Sequence, residues 1–256
     1  MHSAIFIQSF ILGLIQGLAE FLPISSSAHL KFARFLMGIS DSNNWLYFDL
    51  ACHAGTWIAL VYFLRREIFA VLTDLKKIGL FTVALLPLIP AYFLLKPIRV
   101  ALSDPTYTGY FLLVTSGLLF LATRTRPENT RPRKWVNVLF IGVMQALALL
   151  PGISRSGSTI AAARFCGWSW IDGARFSFLL AVPTILGGEI LESYKLFQGG
   201  SEAVDYPSCL VGLLTSFAVG LFAVRFVFWV YEKKKVKPLA WYCLVMGLVM
   251  IVGMNG

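Results

Sequence analysis

Charge-free apolar runs close to twenty residues long recur along the chain and constrain its fold. Four such runs occupy 78–95, 105–123, 206–224 and 239–256. The hydrocarbon core of a bilayer is about 30 Å thick, and about 20 helical residues cross it. The chain is 57% apolar and 14% charged, whereas soluble domains are about 45–50% apolar and about 25% charged. The sequence therefore predicts an all-α integral membrane protein.

Two further stretches, 48–64 and 172–194, are also long enough to cross a membrane, which brings the predicted number of spans to six. They differ from the first four in carrying ionisable residues, namely Asp49, His53, Glu189 and Glu192. We expect Asp49 and His53 either to line a cavity or to be structural, and Glu189 and Glu192 to lie near a membrane surface.

Lysine and arginine concentrate in three loops, around 65–77, 124–134 and 233–237. Because cytoplasmic loops carry an excess of these residues, the three loops are expected inside and 98–106 outside. The net charge of +9 is then explained by loops that face anionic lipid, and nucleic acid is not needed as a partner.

Two apolar stretches, 3–38 and 135–168, are interrupted in the middle by Pro, Gly and Ser. With six spans oriented by the basic loops, neither stretch can cross the membrane. Each is predicted to be a re-entrant helix–loop–helix hairpin, entering from opposite faces. Irregular backbone at membrane depth is tolerated where protein or a polar cavity satisfies its hydrogen bonds.

The two interrupted stretches resemble each other. GLIQGLAEFLPISS at 13–26 matches GVMQALALLPGISR at 142–155. Each half contains one hairpin and three spans, and an odd number of spans inverts the second copy. We therefore expect one membrane domain, 1–256, built from inverted repeats at about 1–123 and 135–256, with a site between the halves near the midplane.

Polar residues gather at the first break. Gln16 and Glu20 are four positions apart and share one helix face. A carboxylate in an apolar segment is a functional candidate by default. The alternative is that Glu20 pairs with an arginine and only holds the fold. The candidates that follow the break are Ser25, Ser26, Ser27 and His29.

The second break has the features of an anion site. Gly152 allows a sharp turn, the next helix start contributes its dipole, and Arg155 offers a planar fork for phosphate oxygens. The hydroxyl donors here include Ser154, Ser156 and Thr159. A structural turn whose arginine pairs with Glu20 is the alternative, and both can hold before substrate arrives.

Together these motifs, QGLAEFLPISSSAH at 16–29 and PGISRSGST at 151–159, resemble the undecaprenyl-diphosphate phosphatase family of bacterial inner membranes, the bacitracin-resistance type. By that resemblance, Gln16 and Glu20 correspond to its acidic, metal-binding motif. Ser25, Ser26 and His29 correspond to its serine–histidine segment. Arg155, Ser154 and Thr159 correspond to its phosphate-binding motif.

The resemblance implies hydrolysis of a C55 polyprenyl diphosphate to the monophosphate and inorganic phosphate, which recycles the peptidoglycan carrier lipid. It further implies a divalent cation, Mg²⁺ or Ca²⁺, and a multi-pass protein of the bacterial inner membrane whose site opens outside the cytoplasm. The expected partners are the polyprenyl diphosphate and membrane lipids, and a homodimer is left open.

Two questions stay open from the sequence. The attacking group is either Ser26 activated by His29, or His29 acting as nucleophile or as base for water. The activity could instead be transport, because inverted repeats with broken helices are typical of carriers, and a flippase for a polyprenyl phosphate would also need an anion site.

Overall fold

The computed structural model describes residues 2–39, 43–125, 134–198 and 204–255, and within those ranges the regular structure is entirely helical. The helices are α1 (His2–Ala19), α2 (Ser26–Leu36), α3 (Asn43–Leu72), α4 (Leu75–Leu85), α5 (Leu88–Leu94), α6 (Lys96–Ala101), α7 (Thr108–Arg124), α8 (Trp135–Leu147), α9 (Arg155–Phe165), α10 (Trp170–Gln198), α11 (Tyr206–Glu232) and α12 (Lys237–Asn255). A short 3₁₀ helix, Pro105–Tyr107, precedes α7.

Six helical segments of the described chain are long and apolar enough to cross a membrane. They are Trp45–Leu72, Leu75–Leu94, Pro105–Arg124, Trp170–Gln198, Tyr206–Glu232 and Lys237–Met254. The predicted all-α class is confirmed, and the number of candidate spans equals the predicted six. The part of the basic loop at 126–133 lies outside the described residues, as do 40–42 and 199–203.

The second of these segments is broken, which the uninterrupted apolar run did not predict. Its helix α4 ends at Leu85, α5 begins at Leu88, and Pro87 stands between them. Proline has no N–H to donate to the preceding turn, and its ring clashes with that turn. A further proline, Pro97, stands in the first turn of α6, where a missing N–H costs nothing.

The two hairpins share local structure at one constant spacing. Ser25 caps α2 by accepting from the N–H of Ala28, and Ser154 caps α9 by accepting from the N–H of Gly157. Both helices are 11 residues long, and the glycine after each C-cap has a left-handed φ, 65° at Gly38 and 82° at Gly167. The sequence resemblance therefore extends to helix length and to both caps.

Packing between the halves is reciprocal. Helix α1 packs on α11, and α8 packs on α4. A Cβ on Gly13 would lie 3.0 Å from the carbonyl oxygen of Gly212, and a Cβ on Gly142 would overlap that of Ala84. Glycine at these matching positions thus lets each hairpin approach a helix of the other half. Further contacts join α3 to α11 and α7 to α12.

Candidate active site

A cavity of about 620 Å³ lies where the two hairpin tips meet α3 and α10. Its polar lining is Glu20, Ser25, Ser26, Ser27, Asp49, His53, Gln145, Ser154, Arg155, Ser156, Thr184, Glu189, Glu192 and Lys195. Its apolar lining includes Leu46, Leu50, Leu88, Leu149, Ile153, Ile185 and Leu196. The cavity therefore combines a polar centre with walls that suit an apolar chain, and its size is typical of small-molecule sites, about 300–1,000 Å³.

Glu20 is the centre of the polar cluster. Arg155 donates from Nη2 to its Oε1 at 2.6 Å, and Ser26 donates from Oγ to its Oε2 at 2.8 Å. Gln16 donates from Nε2 to the same Oε2 at 3.1 Å, which confirms that Gln16 and Glu20 share one helix face. The Glu20 side chain is only 7% exposed, so its charge is balanced by these donors rather than by solvent.

Arg155 is positioned by the start of α9. It is the first residue of that helix, directly after the N-cap Ser154. Its Nη2 contacts Glu20, whereas its Nη1 is buried and has no hydrogen-bond partner among the described residues. A buried guanidinium nitrogen without an acceptor is costly, and it leaves one arm of the fork available for an anionic ligand.

The first tip owes its shape to Ser25. This residue has φ 66°, a left-handed conformation that a serine rarely adopts. Its Oγ lies 3.2 Å from Oγ of Ser27 and 3.4 Å from the backbone nitrogen of Ala28. The strained cap begins α2 at Ser26 and places that hydroxyl against Glu20, and such strain is often found at functional sites.

The predicted pairing of Ser26 with His29 is wrong. Nδ1 of His29 lies 2.8 Å from the carbonyl oxygen of Ser25, and a carbonyl can only accept, so Nδ1 carries the proton. Nε2 lies 2.9 Å from the hydroxyl of Tyr242, whose ring stacks on the imidazole. Both nitrogens therefore have partners other than Ser26, and the hydroxyl of Ser26 has Glu20 as its acceptor instead.

The remaining candidates of the second tip divide into two groups. Ser154 and Ser156 line the cavity, and Ser156 also donates to the carbonyl oxygen of Leu22 at 3.2 Å, which ties one tip to the other. Gly152 and Thr159 do not line it. Gly152 makes the turn with φ 99°, and Thr159 Oγ1 lies 2.6 Å from Oγ of Ser177. Gly152 and Thr159 therefore support the shape of the second tip without facing the cavity.

Asp49 and His53, for which the sequence left a cavity-lining and a structural role open, both line the cavity. Nε2 of His53 lies 3.9 Å from Oε2 of Glu20, and its Nδ1 donates to the carbonyl oxygen of Asp49 at 2.8 Å. Asp49 lines the cavity and also pairs with the buried guanidinium of Arg34, a residue that the sequence did not single out.

Glu189 and Glu192 also line the cavity, and their position near a membrane surface stays a prediction. Lys195 donates to Glu192 at 2.5 Å on the same helix. Ile185, Glu189, Glu192 and Lys195 follow one another at intervals of three or four positions, which places their side chains on one face of α10. This spacing could have predicted that the two glutamates line the cavity.

The predicted metal ligands can be compared with the geometry. The described residues contain no group of three or more His, Cys, Asp or Glu side chains that could hold a metal ion. Gln16 presents its Nε2 to the Glu20 carboxylate, and its buried Oε1 has no hydrogen-bond partner, so turning the amide over would bring that oxygen beside Glu20. Two hard oxygen ligands suit Mg²⁺, which proteins often bind through one or two side chains plus substrate phosphates. The residues therefore fit a cation whose coordination the substrate completes.

Comparison with known proteins shows the family of the chain. The family model described as "Bacitracin resistance protein BacA" matches residues 9–249. An undecaprenyl-diphosphatase of Protochlamydia amoebophila is 40% identical over 245 residues, which cover 94% of this chain and 95% of that protein. Undecaprenyl-diphosphatases of Halothermothrix orenii and Geobacter sulfurreducens are 33% and 35% identical, and each alignment covers 95% of the relative and at least 94% of this chain. The chain belongs to the bacitracin resistance protein BacA family.

Proposed function

We propose that this chain hydrolyses undecaprenyl diphosphate to undecaprenyl phosphate and inorganic phosphate. The observation that carries the proposal is the convergence of Ser26 and Arg155, one from each hairpin tip, on the Glu20 carboxylate. A nucleophile, Ser26, and a phosphate-binding guanidinium, Arg155, are thereby each within hydrogen-bond distance of one proton acceptor, Glu20. The family's name and the names of the relatives point to the same substrate and to bacitracin resistance.

The cavity suits a lipid diphosphate in two respects. The polar cluster lies at the hairpin tips, and the leucine and isoleucine side chains of the wall offer an apolar path for the first isoprenes. The free Nη1 of Arg155 is available to the terminal phosphate while Nη2 still holds Glu20. Charge neutralisation of this kind is the main catalytic contribution in phosphoryl transfer.

In the first half-reaction, Oγ of Ser26 attacks the terminal phosphorus and its proton passes to Oε2 of Glu20, which already accepts its hydrogen bond. The bond from that phosphorus to the bridging oxygen breaks, and undecaprenyl phosphate leaves with the electron pair. A phosphoserine remains on Ser26. A serine needs an adjacent base of this kind to act as a nucleophile.

In the second half-reaction, water attacks the phosphoserine and the serine oxygen leaves. Before this step, Glu20 passes the proton that it took from Ser26 to the departing undecaprenyl phosphate and is a carboxylate again. It then takes one proton from the attacking water and gives that proton to the serine oxygen, so the cycle ends with hydrogen phosphate and the free enzyme. The alternative is direct attack by water with Ser26 only donating a hydrogen bond. His29 does not enter either scheme as a base, because both of its nitrogens have other partners. We assign it instead to holding the carbonyl of Ser25, and thereby the strained tip.

A divalent cation, Mg²⁺ or Ca²⁺, completes the proposed site. Glu20 and the amide oxygen of Gln16 would hold it, and it would neutralise charge on the diphosphate.

The proposed membrane arrangement is an inverted repeat of residues about 1–123 and 135–256 in one membrane domain, with both hairpins re-entrant. Three features support it: the constant spacing of the caps, the reciprocal packing of α1 on α11 and α8 on α4, and the lengths of α2 and α9. Eleven helical residues reach roughly 16 Å, about half of a bilayer core. By the distribution of lysine and arginine, the site opens to the non-cytoplasmic side. A homodimer stays a prediction.

Phosphate release by the purified protein separates hydrolysis from transport. Incubation with C55 diphosphate in detergent should yield one phosphate per lipid consumed, and a chelator should suppress the reaction. The Ser26→Ala variant is the matched control. A flippase would release no phosphate in detergent yet would move fluorescent polyprenyl phosphate across proteoliposome leaflets, and that pair of results would replace the proposal.

A further inference from the structure

A second cavity, of about 570 Å³, lies at the ends of α9 and α10 that are away from the active site. We call it the basic cavity, and it is defined by Trp170, Tyr231, Lys234, Lys235 and Lys237. Helix α10 begins in the basic cavity at Trp170 and reaches the active-site cavity at Thr184. These two residues are separated by roughly 21 Å along the helix, at about 1.5 Å per residue. The basic cavity is therefore a separate site.

The net positive charge of the residues that line this cavity favours an anionic ligand. Its lining carries the three lysines and Arg164, against the carboxylate of Glu232. Arg164 is 3% exposed and donates to the carbonyl oxygens of Trp168 and Thr125, so it also fixes the cavity wall. The three lysines are exposed at an open cleft. A cleft lined mainly by one sign of charge attracts anions more strongly than the same lysines spread over a flat surface.

Tyr231 contributes a buried aromatic side chain with an unpaired hydroxyl to the lining of this cavity. It lines the cavity and is 1% exposed, and its ring stacks on Trp170 with 5.8 Å between the ring centroids. Its buried hydroxyl has no hydrogen-bond partner among the described residues. Buried tyrosine hydroxyls usually find a partner, and phosphate oxygens accept hydrogen bonds well.

The turn between α11 and α12 holds the lysines in place. Lys234 has φ 54°, a left-handed conformation, and its N–H donates to the carbonyl oxygen of Tyr231 at 3.1 Å. The N–H of Lys235 donates to the carbonyl oxygen of Val230 at 2.9 Å, and its ammonium lies 5.3 Å from the ring centre of Trp229. The lysine backbones are thus fixed against the cavity.

We propose that the basic cavity binds a phosphate-bearing anion, supplied by the headgroup of an anionic membrane lipid. The position favours a lipid, because the apolar segments of α7, α10, α11 and α12 all begin or end here, at the expected edge of the bilayer. Basic pockets between transmembrane helices are known to take lipid phosphate groups, and tryptophan and tyrosine are enriched at this depth.

Native mass spectrometry of the full chain in detergent tests this proposal. Titration with phosphatidylglycerol and with phosphatidylcholine should show preferential retention of phosphatidylglycerol. The triple variant K234N/K235Q/K237Q should weaken that retention on the order of a hundredfold, since each lysine near anionic lipid contributes roughly a factor of five. Asparagine is chosen at 234 because it tolerates a left-handed φ.

Two further variants sharpen the test. Y231F keeps the stack on Trp170 and removes the hydroxyl, so it should weaken retention by a smaller factor. K233Q removes a neighbouring lysine that does not line the cavity and should leave retention unchanged. Hydrolysis of C55 diphosphate should be unaffected in all three, which reports correct folding and keeps this test separate from the proposed function.

A second arm identifies the source of the phosphate. If inorganic phosphate displaces phosphatidylglycerol and loses affinity in the same variants, the phosphate chemistry is supported and a soluble anion is also a ligand. Unchanged phosphatidylglycerol binding in the triple variant would overturn the proposal. An equal loss in K233Q would overturn it as well, because general surface charge would then explain the retention.

Discussion

Nη2 of Arg155 lies 2.6 Å from Oε1 of Glu20, and this buried ion pair joins the tips of two hairpins that are distant in the sequence. It has two consequences. Arg155 and Glu20 contribute to holding the halves together, because removal of one partner leaves a buried charge uncompensated. They also hold each other in position for a substrate phosphate. Substitutions at either residue therefore need a stability measurement beside the activity.

We expect Arg155→Lys to lower kcat/KM for C55 diphosphate on the order of a hundredfold, although the charge is retained. A lysine cannot donate to Glu20 and to a phosphate oxygen through two parallel N–H groups as a guanidinium does. Arg175→Lys, at an exposed arginine of α10, is the matched control and should keep full activity. Near-normal turnover in Arg155→Lys would show that only the positive charge of Arg155 is needed, and not its two donor groups.

Glu20→Gln should lose almost all turnover, and its residual turnover should no longer respond to Mg²⁺, whereas Gln16→Glu should be tolerated. An amide oxygen is a weaker ligand than a carboxylate for a hard cation, and a glutamate at 16 adds a ligand beside Glu20. Phosphate release measured across a magnesium titration checks both variants. A Glu20→Gln protein with residual turnover and an unchanged magnesium midpoint would separate Glu20 from the cation.

His29 should behave as a positioning residue. His29→Ala should lose most activity because the carbonyl of Ser25 loses its donor, whereas His29→Asn keeps a donor near the position of Nδ1 and should recover at least a tenth of wild-type turnover. Tyr242→Phe, which removes only the hydroxyl bound to Nε2, should have a mild effect. If His29→Asn is as inactive as His29→Ala, the imidazole itself takes part in proton transfer.

Cysteine labelling tests the membrane topology. On a background with Cys166 and Cys209 replaced by serine, Lys76→Cys should be labelled from the cytoplasmic side and Ser103→Cys from the outside. The reason is the lysine and arginine content of the loop at 65–77, against the loop at 98–106. Both positions are exposed in the described structure. Labelling of both from one side would contradict the proposed topology and, with it, the inverted repeat.

Local patterns in the sequence were sufficient for much of the site. The spacing of Gln16 and Glu20 predicted their shared face, and the hydroxyls and glycine around Arg155 predicted a helix start. The pairing of Arg155 with Glu20 was one of two alternatives, because a sequence does not give the distance between two tips. The break at Pro87 could have been predicted from the missing N–H of proline. It was not predicted because the apolar run that contains Pro87 has no polar interruption.

Long-range contacts explain what could not be predicted. His29 contacts Tyr242 rather than Ser26, and Tyr242 belongs to the last helix and has no local link to the first hairpin. His53 approaches Glu20 only because α3 packs beside α1, and Glu189 reaches the cavity because α10 passes both hairpins. Such neighbours depend on helix packing, which one sequence leaves undetermined.

The most direct test of the central claim is rapid quenching of the reaction with C55 diphosphate labelled in its terminal phosphate. The account predicts an acid-stable, base-labile phosphoserine on Ser26 during turnover, and less than about one percent of wild-type turnover in Ser26→Ala, since loss of a nucleophile costs several kcal/mol. Ser27→Ala, at an exposed neighbour bound to Ser25, should stay active. More than about a tenth of wild-type turnover in Ser26→Ala, with no labelled protein in the wild type, would contradict attack by Ser26 and leave water as the nucleophile.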